Sequence, residues 1–270
     1  MIRCVLLSLL SVLLLAGCGS HYKIPKKEYQ ERVQTLGVLP ILVDADSTIL
    51  RPDRAEVLDL LRRMSSGRES RLIEILRQEK AYFDIRPVAG EPEALFGSLI
   101  LNRALRGEGD KIYRRYQFSG QGAAELARDN GVDALLVIVL NGVVRPEKRW
   151  DNPPTTFLKT DYNSIQATAS VVLPSGELAW EYAGSGEGFL PLQYPDFLEA
   201  KFNKTDQVKT KDITLVGLER TLVEREKILL GGTSFPFVYR LLFEEISSAL
   251  KPGFSNPLTS KPAQPAAQPQ

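Results

Sequence analysis

The sequence predicts an α/β (α+β) protein with a single mixed β-sheet and helices packed on its faces. Three observations carry this. The run VDALLVIVLNGVV at 132–144 is continuous and β-branched, as in a central strand covered on both sides. Residues 51–63 and 68–80 place apolar side chains at helical spacing among charges. Residues 165–183 alternate in polarity around Pro174-Ser175-Gly176-Glu177, which makes an antiparallel hairpin. Helix-linked strands can be parallel and a hairpin cannot, so the sheet is expected to be mixed.

Taken in order, residues 33–46 (VQTLGVLPILVDAD) read as a buried strand, with Pro40 marking its end or an irregularity because it lacks an N–H. In 51–63, Pro52 suits a first turn, and Val57, Leu58 and Leu61 form the apolar stripe. After Ser65-Ser66-Gly67, residues 68–80 form a second helix that buries Leu72, Ile73, Ile75 and Leu76, and 81–88 a short strand. The stretch 89–118 is ambiguous. LFGSLILNRALRG reads as a helix, and Gly107-Glu108-Gly109-Asp110 as a turn or loop. Ser119 is an N-cap for the next helix, and Gly131 stands where a C′ glycine closes it. Residues 145–162, with three prolines and Trp150, read as a long exposed loop or extended arm. The last third is helical. One helix starts at a capping Asp212 and stops at Gly231-Gly232; the other places Phe235, Val238, Leu242, Ile246 and Ala249 on one face.

The two ends differ from this body. Arg3 precedes a twelve-residue apolar run, which suits a signal-peptide core and is too short to span a bilayer. It ends in Leu15-Ala16-Gly17-Cys18, which resembles the lipobox of bacterial lipoproteins. That resemblance implies cleavage after residue 17, a diacylglyceryl thioether on Cys18 and acylation (palmitate) of the new amino group. Two or more acyl chains give lasting membrane attachment. Cys4 leaves with the signal, so thiol catalysis, disulfides and Cys-type metal sites are not expected. Gly19, not Asp, follows the anchor, which suggests the outer membrane, periplasmic face. Residues 18–32 read as a polar tether, 33–252 as the α/β domain, and 253–270 (Pro, Ala, Gln) as a disordered tail.

Removing residues 1–17 takes away Arg3 and no acid, so 34 basic and 33 acidic residues become equal in number. A balanced charge argues against nucleic acid as partner, because backbone binding needs a clustered positive excess. The single histidine, His21, stands beside the anchor and outside the expected domain, so a Ser-His-Asp triad or His-based metal site is not expected there. No metal, cofactor or catalytic residue is assigned.

Four stretches carry candidate chemistry. Asp44 and Asp46 end the first strand, where α/β sheets bind ligands, and two carboxylates suit a hard cation; a solvated capping loop is preferred because no third acid or His is near. Gly184-Ser185-Gly186-Glu187-Gly188 resembles a phosphate loop, but no helix opens after it, so a strand end or bulge is preferred. Tyr113-Arg114-Arg115-Tyr116 offers guanidiniums for phosphate or carboxylate, against an edge element with half-buried tyrosines. Trp150, with Arg149 and Arg145, forms the candidate partner-binding set; Trp150 is either a protein–protein anchor or a cover for the sheet.

The pieces AAELARDNGVDALLV (123–137) and LPSGELAW (173–180), between a lipobox and a terminal helix, resemble the superfamily of CsgG-type curli secretion proteins and LpoB-type activators of penicillin-binding proteins, whose folds resemble the amino-terminal domain of TolB. The resemblance spans about 35–250 at the level of pattern. The arm and 89–118 do not match it, and no membrane-inserting hairpin is recognisable. It implies a lipid-anchored periplasmic, non-enzymatic domain that binds envelope protein partners in assembly or secretion, with a homo-oligomer left open. The alternatives are an envelope hydrolase using carboxylates and a small-molecule or lipid-binding lipoprotein.

Overall fold

The computed structural model describes residues 21–80, 82–107, 109–184, 188–198, 209–225 and 235–250. The signal stretch, Cys18, residues 185–187 of the glycine run, Gly231-Gly232 and the tail lie outside the described residues.

The expected mixed sheet is present. β1 (Thr35–Val38) lies between β3 (Asp84–Pro87) and the long β6 (Ala134–Trp150), parallel to both. β6 then pairs antiparallel with β7 (Phe157–Val172), and β7 with β8 (Leu178–Tyr182). β2 (Leu42–Val43) continues the line of β1 along β6, and β9 (Leu190–Pro191) continues that of β8 along β7. The chain breaks between β1 and β2 at Pro40, so the predicted strand 33–46 is two short ones.

One face of the sheet presents Leu136, Ile138, Leu140, Ile165, Ala167 and Val171. It is covered by α1 (Lys26–Arg32), α2 (Arg54–Ser65), α3 (Glu69–Gln78), α6 (Leu215–Val223) and α7 (Phe237–Leu250). The opposite face presents Leu135, Val137, Val139 and Val172 to α4 (Pro92–Leu99), to α5 (Gly120–Asn130) and to the hairpin β4 (Ile100–Arg106)–β5 (Tyr113–Phe118). A small hairpin, β10 (Gln193–Pro195) with β11 (Thr210–Asp212), leads into α6. The caps of α5 fall as predicted: the Ser119 hydroxyl accepts from the Gly122 N–H, and Gly131 turns left-handed at φ 61°.

Three expectations are corrected and one is resolved. The tether 18–32 is folded where it is described. Tyr22 bridges Trp180 at the edge of β8, and the Glu181 N–H donates to the His21 carbonyl at 2.8 Å. Tyr29 of α1 is fully buried, edge-on to Tyr22, with its hydroxyl 2.6 Å from that of Tyr82. One tyrosine with a buried partner outweighs the polar composition around it, and the domain begins before residue 33. In LFGSLILNRALRG the helix stops at Leu99, because 100–106 turn to pair with 113–118. Of the loop or extended arm expected at 145–162, it is the arm that forms: β6 and β7 stay paired out to Trp150 and Phe157, and only 151–156 turn. Finally, Asp212 lies in β11, and α6 is capped by the Thr214 hydroxyl, which accepts from the Gly217 N–H.

Candidate functional site

The central strands outrun the sheet. β9 meets β7 at Ser164 and Ile165, and β2 leaves β6 at Leu140, whereas β6 and β7 stay in register for seven more rows, from Val144↔Asn163 to Trp150↔Phe157. The result is a two-stranded ribbon about 20 Å long at ~3.3 Å per residue. Its tip holds an aromatic pair across the strands. The rings of Trp150 and Phe157 are 5.0 Å apart, and the Lys148 ammonium stands 4.1 Å and 3.8 Å from their centroids. Both rings are about half exposed, at 51% and 49%. Trp150 therefore does not fold back over the sheet. Phe157 and Lys148 belong to no sequence motif; the signal for them is an aromatic on each side of Asp151-Asn152-Pro153-Pro154, placed to meet once that stretch turns.

The other two members of the predicted partner set are not surface groups. Arg145 is 1% exposed, and its Nε donates to Glu147 at 2.8 Å. Glu147 also accepts from Arg149 Nε at 2.9 Å and Nη2 at 2.7 Å. Arg149 bonds the Gln193 carbonyl as well and lies 3.9 Å over the Tyr162 ring. These charges brace the root of the ribbon, because alternation turns 145, 147 and 149 to the side that the body covers.

Asp44 and Asp46 separate. Asp44 is fully buried and accepts from Arg103 Nη1 and from the Tyr116 hydroxyl, each at 3.0 Å, and from the Asp46 N–H at 3.1 Å. Asp46 is exposed and pairs with the other end of the Arg103 guanidinium. The preferred solvated loop is thus corrected at Asp44, which is an ionic node fastening the β4–β5 hairpin to the carboxyl end of β2. Within Tyr113–Tyr116, Arg114 and Tyr116 face inward, and burial with the Asp44 charge pushes the Tyr116 hydroxyl well above its ordinary pKa. Arg115 reaches Glu181 at 3.3 Å, as does Lys23 at 3.0 Å. His21 is not outside the fold: it lies beside Trp180 and Tyr182, with Nδ1 3.0 Å from the Glu181 carbonyl.

Of the glycine run, Gly184 and Gly188 are described, both with positive φ. A Cβ at Gly188 would stand 3.2 Å from Arg145 Nη2 and 3.5 Å from Ser164 Oγ; one at Gly184 would stand 2.9 Å from Gln166 Nε2. The two described ends of the run therefore lie against Arg145, Ser164 and Gln166 of the sheet. Among the described residues, no group of three or more His, Cys, Asp or Glu is placed to hold a metal ion, and no helix is long and apolar enough to cross a membrane. No protein-family model matches the chain, and no curated protein or solved structure is significantly similar to it.

Proposed function

We propose that the chain is a lipid-anchored, non-enzymatic envelope domain that docks a protein partner through the tip of its β6–β7 ribbon. The observation that carries this is the half-exposed Trp150–Phe157 pair, held by cross-strand pairing at the end of a braced ribbon. Rigid aromatics lose little entropy on binding and dominate interface energies. A ribbon that is already ordered adds little ordering cost.

The anchor in this reading is Cys18, and Gly19 favours the periplasmic face of the outer membrane. In this reading the described body starts at His21, three residues after Cys18, which keeps it close to the membrane surface. The His21 row of the sheet leads through Glu181 and Ser170 to Val137 of β6. Trp150 is thirteen residues further along, about 43 Å at ~3.3 Å per residue. The ribbon thus carries its aromatic tip well away from the point of attachment. Envelope assembly or secretion, suggested by the CsgG/LpoB-like patterns at 123–137 and 173–180, is the setting we favour.

The test uses the full chain in its own membrane, with a photo-crosslinking residue at position 150 and, as control, at Val216, which is exposed and distant in sequence. A discrete adduct from position 150 that disappears with Phe157→Ala supports docking. The same adducts from both positions, or none from 150, refute it. Cys18→Ala should release the chain from membranes; retention would remove the anchor while leaving the ribbon test intact.

A further inference from the structure

The β4–β5 hairpin has two unlike sides. Cross-strand partners share a side, so one carries Arg103, Tyr116 and Arg114, and the other Asn102, Ala104, Arg106, Arg115 and Gln117. The charges of the first side are closed: Arg103 pairs with Asp44 and Asp46, and Arg114 with Asp44 at 3.7 Å. The second side borders a cleft of about 270 Å³, whose far wall is the β7–β8 turn with Gly176 and Leu178. That volume lies just below the usual range of small-molecule pockets, so the cleft suits a short ligand.

The lining is rich in donors. No Asp or Glu lines the cleft among the described residues. Arg106 forms no ion pair among them. Arg115 reaches Glu181 at 3.3 Å, but Lys23 holds the same carboxylate at 3.0 Å, so three cations share one acid here. The Asn102 Oδ1 accepts from the Arg103 N–H at 2.8 Å, which leaves its NH2 to the cleft, and the Gln117 amide has no partner among the described residues. The space is also preformed. Ala104 is short beside Arg115, and Gly176 turns at φ 82° so close to β5 that a Cβ would stand 2.9 Å from the Phe118 carbonyl. The turn is thus fixed against the end of β5, and the walls need no rearrangement to receive a ligand.

We propose that this cleft binds a short acidic peptide in extended form, with a carboxylate held between Arg106 and Arg115. The two arginines are diagonal neighbours across the strands, with Cβ atoms about 7 Å apart, so both guanidiniums can reach one carboxylate. Such charge-assisted bonds are the strong type. The pair Asn102↔Gln117 lies two residues along on the same side, about 7 Å away. That spacing is also the two-residue repeat of an extended chain. A peptide with its carboxylate on the arginines therefore brings a backbone amide to Asn102 and Gln117, whose NH2 groups donate to its C=O while the Gln117 oxygen accepts from its N–H. A single phosphate would occupy the guanidiniums and leave the amide pair unused. Of Tyr113–Tyr116, whose guanidiniums suit a carboxylate or phosphate, Arg115 is the member that serves, because Arg114 is committed to Asp44 on the other side. The cleft is separate from the ribbon tip, and neither reading depends on the other.

The test is calorimetric titration of the full chain at fixed ionic strength with three probes: a blocked alanine tetrapeptide carrying one glutamate, the same peptide with glutamine in its place, and glucose 6-phosphate. The glutamate peptide is expected to bind saturably and at least about tenfold more tightly than either of the others. Arg106 is exposed, so Arg106→Gln keeps the fold and should weaken the glutamate peptide by about tenfold, which corresponds to ~1.4 kcal/mol. Ala104→Leu fills the cleft from the hairpin side and should abolish binding. Arg128→Gln, which removes an exposed charge on α5 away from the cleft, should change nothing. No saturable binding of the glutamate peptide, equal affinity for the glutamine peptide, a preference for glucose 6-phosphate, parent-like binding by Ala104→Leu, or equal losses in Arg106→Gln and Arg128→Gln overturns the proposal.

Discussion

Replacing Tyr29 by alanine tests whether residues 21–32 belong to the fold. Tyr29 is fully buried, edge-on to Tyr22 at 4.9 Å, and shares a 2.6 Å hydrogen bond with Tyr82. Truncating a buried aromatic to alanine costs about 3–5 kcal/mol. The Tyr82 hydroxyl, itself buried, loses its partner, which moves the value toward the upper end. For a domain of this size each kcal/mol is worth ~2–4 °C, so the melting midpoint should fall by about 6–20 °C. Tyr29→Phe removes the hydrogen bond alone and should cost about 1–2 kcal/mol. Thermal unfolding followed by far-ultraviolet circular dichroism reads both. A Tyr29→Ala midpoint within about 2 °C of the parent would refute the reasoning, because that is the behaviour of a tether.

Asp44→Asn should destabilise by about 3–5 kcal/mol in denaturant titrations, because it breaks a buried node and leaves Arg103 and Tyr116 mispaired, whereas Asp46→Asn at the exposed end should stay within ~1 kcal/mol. Equal effects would contradict the node. Burial holds the hydroxyls of Tyr29, Tyr82 and Tyr116 well above their ordinary pKa and that of Tyr22 at about 12. The fold therefore favours their neutral forms, so this stability is complete below about pH 10 and is lost as pH rises beyond it. Tyrosinate absorbance should show fewer than all nine tyrosines ionising before the chain unfolds in alkali; nine titrating together in the folded chain would contradict the burial. Gly142→Ala would push a methyl into the Thr48 carbonyl and within 2.7 Å of Ile49 Cγ1, and should cost about 1–3 kcal/mol by calorimetry.

What the sequence disclosed follows the range of the forces involved. The central strand and the caps at Ser119 and Gly131 rest on hydrophobic patterning and on neighbours three or four residues away, and they are found where predicted. Tyr29 depends on Tyr82, and Asp44 on Arg103 and Tyr116; partners that far along the chain leave no local trace. The strand 100–106 reads as helix because Leu and Ala suit a helix, and only its cross-strand pairing with 113–118 decides otherwise. The ribbon was obscured by Pro146, which is tolerated where the ladder has narrowed to two strands. Of the predicted partner set, Trp150 alone lies on the surface; strand alternation past a proline hid the inward direction of Arg145 and Arg149.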